Sequence, residues 1–194
     1  MRKSIFILFL FCATLSNLLA QDITPYKNKS GVTLSTNFFG INDDLNNIDV
    51  GGGIYFSRKI SNSISIYTEI AGISRNYGEL SLMPGLSGNF TAGNVAIYVG
   101  PMFDIGKKMN LSLGLADNYL FNPELKNATG NNDISENTTN YSSLFFDLRK
   151  SIYKEVSLGV RYEWGLNSMF HSTDRKVSSI SFNMFLQKIG RAHV

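Results

Sequence analysis

Tyr67 and Glu69, Asp147 and Arg149, and Arg161 and Glu163 are ionisable residues that stand two positions apart, while Tyr98 stands alone among apolar neighbours. In an extended chain, residues two apart point to the same side, so each pair presents both of its groups to one surface. Brought face to face, these side chains form a buried network with Glu69 and Arg161 as its central ion pair. Held apart in water, they are independently solvated charges. Nucleophilic and metal chemistry have less to draw on. His171, in Met169-Phe170-His171-Ser172-Thr173, lies beside a serine, but no carboxylate can be assigned to orient it, and a solvated loop histidine is the expected reading. The one cysteine, Cys12, lies near the start of the chain. Without thiolates and with so little histidine, zinc is not expected. Gly51-Gly52-Gly53 falls within a strand-like segment rather than between a strand and a helix, where a phosphate loop belongs. No catalytic residue, cofactor or metal is expected.

The elements that must position these groups follow from an alternation of period two. In Val156-Ser157-Leu158-Gly159-Val160-Arg161-Tyr162-Glu163-Trp164, the even positions are apolar or aromatic and the odd ones small or charged. Similar segments run from Val32 to Gly40, Val50 to Ser57, Ile64 to Ile73, Val95 to Ile105, Leu111 to Phe121, Tyr141 to Arg149 and Ile180 to Leu186. This predicts about eight strands, each near the roughly 9–11 residues that cross a bilayer at a tilt. The connections alternate as well. Arg58 to Asn62, Gly106 to Lys108 and Lys150 to Lys154 are short and basic, whereas Arg75 to Asn94, Asn122 to Asn140 and Gly165 to Lys176 are long and polar, and Ile41 to Ile48 is of middling length. An up-and-down membrane barrel has this arrangement, with short turns at one rim and long loops at the other.

Composition bears on which face is outside. Of 194 residues, 43% are hydrophobic and 17% charged, below the roughly 25% charge of an average soluble domain. One row of the alternation, including Thr33, Ser35, Asn37, Gly51, Gly53, Ser65, Ser112, Gly114, Ser157 and Ser181, is dominated by small residues. A water-facing surface carries more Lys and Glu, whereas a narrow lumen needs small residues interleaved with a few large ones. The opposite row, including Leu34, Ile54, Ile70, Ile97, Leu113, Leu148, Val160 and Phe182, carries no charge in its strand cores, as lipid exposure requires. Asp117 is the misfit, placed near the outer interface or at a bulge. Aromatic girdles are expected from Phe38, Tyr119, Phe121, Tyr141, Tyr162 and Trp164 toward the loop ends, and from Phe56, Phe103 and Tyr153 toward the short turns. A soluble lipocalin-like barrel binding an apolar ligand is the alternative, and it would place the apolar row inside.

The two ends read differently from the body. Met1 to Ala20 has the basic, apolar and small-residue order of a secretory signal peptide, whose removal leaves residues 21–188 as the barrel and no cysteine. Ile189-Gly190-Arg191-Ala192-His193-Val194 reads in one frame as a sequencing adapter, so residues 189–194 are expected to be read-through. Setting aside Arg2, Lys3 and Arg191 removes the formal net charge of +3, and with it any basis for nucleic-acid binding.

Tyr98-Val99-Gly100-Pro101-Met102-Phe103 and Leu158-Gly159-Val160-Arg161-Tyr162, with the overall pattern, resemble the outer-membrane β-barrel domain family of small porin-like proteins of Gram-negative bacteria. The resemblance implies an all-β fold, a closed antiparallel up-and-down transmembrane β-barrel of about eight strands, located in the outer membrane. It implies a non-enzymatic role in envelope structure, surface interaction or limited small-solute passage. The partners it implies are outer-membrane lipid and the barrel-assembly machinery, which recognises an aromatic residue of the last strand, here Phe185 as the nearest. The extracellular partner is left open.

Overall fold

Alternating faces leave a β-sheet with one greasy side, and closing the sheet on itself turns that side wholly outward or wholly inward. The computed structural model describes residues 28–41, 47–83, 86–106, 108–127, 130–171 and 174–189. Its strands are β1 (Asn28–Ile41), β2 (Asn47–Lys59), β3 (Ile64–Met83), β4 (Leu86–Gly106), β5 (Met109–Asn127), β6 (Gly130–Asp133), β7 (Tyr141–Ser151), β8 (Val156–Gly165) and β9 (Val177–Ile189). Neighbours in the sequence pair antiparallel from β1 to β5, β5 then pairs with β7, and β7, β8 and β9 follow in order. β9 returns to β1, in register from Lys29 opposite Ile189 to Ile41 opposite Val177. Eight strands thus close into an antiparallel up-and-down barrel, and β6 is an outlying strand paired with the far end of β5.

The apolar row faces out. Leu113, Val160 and Phe182 are 43%, 45% and 54% exposed, while Thr33, Ser112, Asn118 and Ser181 of the opposite row are buried. A lipocalin-like interior would require the reverse, so the structure corrects that alternative. Asp117 faces out in register, opposite Ile97 and Ser142 and without a bulge, and its carboxylate accepts a 2.7 Å hydrogen bond from the Ser142 hydroxyl.

The strands run further than the apolar alternation does. Arg75 to Asn94, expected as a loop, continues the β3–β4 ladder from Ser74 opposite Gly93 to Met83 opposite Leu86, with two register shifts. Beyond Ile70, the outward positions are Gly72, Ser74 and Asn76, residues suited to water rather than hydrocarbon, so the hydrophobic signal fades although the hydrogen bonding persists. Asn122 to Asn140 likewise contains the end of β5, β6 and a short 3-10 helix, Ser135–Asn137. The expected signal peptide and residues 190–194 lie outside the described residues, whereas Ile189 closes β9 opposite Lys29.

Curvature depends on close backbone approach between β4 and β5. A Cβ on Gly114 would lie 2.2 Å from the Val99 carbonyl oxygen and 2.8 Å from the Gly100 Cα. Gly114→Val is therefore expected to cost about 1–3 kcal/mol by overpacking. Gly72→Val is the control, since a Cβ there meets nothing within 4 Å. Urea unfolding in lipid vesicles compares the two.

Candidate functional site in the lumen

Inward positions of β3, β4, β7 and β8 bring the ionisable pairs together inside the barrel. Arg161 is the hub. Its Nη2 donates to Glu69 Oε2 at 2.5 Å, to Asp147 Oδ2 at 3.0 Å and to the Tyr67 hydroxyl at 3.0 Å. The Tyr67 hydroxyl donates in turn to Glu69. Arg149 donates through Nη2 and Nε to the same Asp147 oxygen, at 2.6 and 3.0 Å. Its guanidinium lies 4.0 Å from the Tyr67 ring centre and 3.9 Å from that of Phe185, while that of Arg161 lies 4.1 Å from the Tyr98 ring centre. Such cation–π contacts strengthen when water is excluded. Glu69, Asp147, Arg149, Arg161 and Glu163 are all buried, so each charge needs a partner.

Glu163 enters the network by another route than an ion pair. Its oxygens accept hydrogen bonds from the Tyr98 hydroxyl at 2.7 Å and from Ser143 at 3.2 Å. Tyr67 and Tyr98 are thus hydrogen-bonding members as well as space-fillers. Beyond Ser143 the polar chain continues through Asn118, 3.3 Å away, to Asn94 at 2.9 Å from Asn118.

A second tier lies toward the loop end, and sequence reasoning missed it. Arg75, fully hidden, donates to the Tyr141 hydroxyl at 2.7 Å and stands 3.5 Å from Asp49. Asn37 donates to the other Asp49 oxygen at 2.6 Å. Over this tier sits an aromatic plug in which Phe39 and Tyr77, Tyr77 and Phe90, and Phe90 and Phe170 are 5.0, 4.9 and 5.4 Å apart between ring centres. Leu125, Ile134, Met169 and Val177 complete the cluster. Burial pushes the Tyr77 hydroxyl above the usual phenol range. The available signal was the inward register itself, since Arg75 and Tyr77 continue the row of Tyr67, Glu69, Ala71 and Ile73.

Phe38, Phe56, Tyr119, Phe121, Tyr162, Trp164 and Phe103 lie on the outward face, and Tyr153 is exposed in a turn. Tyr141 corrects the girdle expectation. It is 2% exposed and points inward, because its hydroxyl serves the otherwise buried Arg75. Phe185, considered as the aromatic of the last strand, also points into the lumen, edge-on to Tyr55. His171 is exposed, with its backbone amide bonded to the Asn137 carbonyl, and no cluster able to hold a metal occurs among the described residues.

No protein-family model matches the chain, and no curated protein matches it by sequence. Solved structures do match its fold. The attachment invasion locus protein Ail of Yersinia pestis superposes with a TM-score of 0.52 at 14% identity, covering 84% of this chain and 99% of that one. The same protein in complex with the heparin analogue sucrose octasulfate gives 0.53 at 16% identity, with 84% and 99% covered. Neisserial surface protein A gives 0.50 at 10% identity, with 82% and 96% covered. The chain has the fold of these small outer-membrane barrels.

Proposed function

We propose that this chain works in the outer membrane as a non-enzymatic barrel with a sealed lumen, serving envelope structure and surface contact rather than solute passage. The observation that carries the reading is the inversion of polarity. Apolar side chains wrap the outside of the cylinder, while arginines, carboxylates and phenols fill the inside. Such a surface is stable against hydrocarbon and a liability in water. The sealed interior supports contact over transport, because the aromatic plug and the Arg161 hub occupy the cross-section that a solute would need. Contact would then fall to the loop end, where residues 75–83, 86–94, 122–127 and 130–140 extend past the apolar belt. The fold shared with Ail and Neisserial surface protein A supports the location.

Trp164, the one tryptophan of the chain, is 52% exposed on the outer face and reports depth directly. In phosphatidylcholine vesicles, lipids brominated near the headgroup should quench it more than lipids brominated at the chain end, as expected of an interfacial girdle. Planar bilayers containing the same preparation should show no steady conductance. Recovery in the soluble fraction without detergent, or Trp164 unaffected by any brominated lipid, would reject the membrane reading. Stable channel openings would reject the sealed lumen alone.

A further inference from the structure

At the short-turn end, the inward rows finish in a hollow quite unlike the network above it. A cavity of about 330 Å³ opens there, lined by Lys29, Lys59, Lys154, Ser57, Ser65 and Ser151. Two positions deeper along the same rows stand Tyr55, Arg149 and Phe185, all buried, so the cavity is blind. Lys59 is committed to Asp104 at 3.1 Å. Among the described residues, no carboxylate pairs with Lys29 or Lys154. Ser57 and Ser65 make no side-chain hydrogen bond among the described residues, and both line the cavity.

We infer that this mouth binds a phosphate-class oxyanion. Lysine holds phosphate as a point charge, and serine hydroxyls donate to its remaining oxygens. Two uncompensated ammonium groups match a group of up to two negative charges, which a single carboxylate does not supply. The cavity is also large enough to admit part of an esterified group and not only a bare ion. A free phosphate ester and the headgroup of an anionic phospholipid present the same chemistry to these residues.

The test uses the full chain in dodecylmaltoside micelles, which contain no phosphate. Isothermal titration is run with inorganic phosphate, glycerol 3-phosphate and dihexanoyl phosphatidylglycerol, with acetate for comparison. Saturable binding is expected for at least one phosphate compound and not for acetate. The Lys29→Gln/Lys154→Gln double variant should weaken it by about tenfold or more, as expected for two lost charge-assisted contacts. Lys150→Gln removes an exposed, outward charge at the same end of the barrel and should change the affinity by less than about twofold, as a screened surface charge does. Binding of the soluble phosphates identifies a free ester as the source, and binding of the phosphatidylglycerol alone identifies a headgroup. The inference is overturned if none of the three saturates, if acetate binds as well, or if Lys150→Gln weakens binding as much as the double variant. A heat-dependent gel shift retained by each variant shows that the barrel is folded.

Discussion

Arg161→Ala should lower the unfolding free energy of the barrel by about 3–5 kcal/mol, the usual effect of removing one partner from a buried ion pair. Arg161 is 3% exposed and serves Glu69, Asp147 and Tyr67 at once. Without it, Asp147 keeps Arg149, but Glu69, 2% exposed, is left with a phenol as its partner. Urea titration in lipid vesicles, followed by Trp164 fluorescence, measures the loss. Coupling is measured by adding Glu69→Ala. The double variant should be more stable than the two single losses imply, by about 0.5–3 kcal/mol. Strictly additive losses would mean that the two groups are solvated separately and that the lumen is wet. Arg161→Lys should recover only part of the stability, because an ammonium group lacks the second guanidinium donor, Nε, which reaches Asp147 at 3.3 Å beside Nη2.

Val160→Arg should cost about 2–4 kcal/mol if the outer surface meets hydrocarbon, the range for a cation at the middle of a bilayer. Val160 is 45% exposed and stands between Leu148 and Phe182 on the neighbouring strands. A surface position of this exposure in a soluble protein would tolerate the change within about 0.5 kcal/mol. The two environments thus give well-separated outcomes. Refolding yield into phosphatidylcholine vesicles and urea midpoints measure the effect, and near-neutrality would place the apolar row in water.

The sequence made the central portion of the barrel legible because lipid and lumen ask for opposite side chains, and the strands alternate accordingly. Val156 to Trp164 can be read residue by residue for that reason. Arg75 could not be read so, since the strand carrying it leaves the apolar belt just before, and Ser74 and Asn76 beside it look like loop residues. Hydrogen bonding to β4 continues regardless, and backbone pairing leaves little trace in side-chain hydropathy. Tyr141 was misassigned for a related reason. At a strand end, aromatic character alone does not distinguish an outward ring from an inward one, and the deciding partner, Arg75, is 66 residues away in the chain. The Glu69–Arg161 juxtaposition was accessible because both residues sit well inside clear alternations. The route from Glu163 through Tyr98 was not, because it depends on the stagger between strands.

The ladder between β1 and β9 joins the two most distant parts of the barrel wall. Every other seam of the wall follows directly in chain order, most of them as local hairpins, but this one requires closing a loop of nearly the whole chain. Such non-local contacts slow folding, so an intermediate in which the sheet is still open carries two bare edges of unpaired amides and carbonyls. Those edges are templates for joining a neighbouring molecule. The hazard to this protein during biogenesis is therefore concentrated in the interval before its first and last strands meet, when two open sheets can zip together into a fused dimer instead of each sealing upon itself.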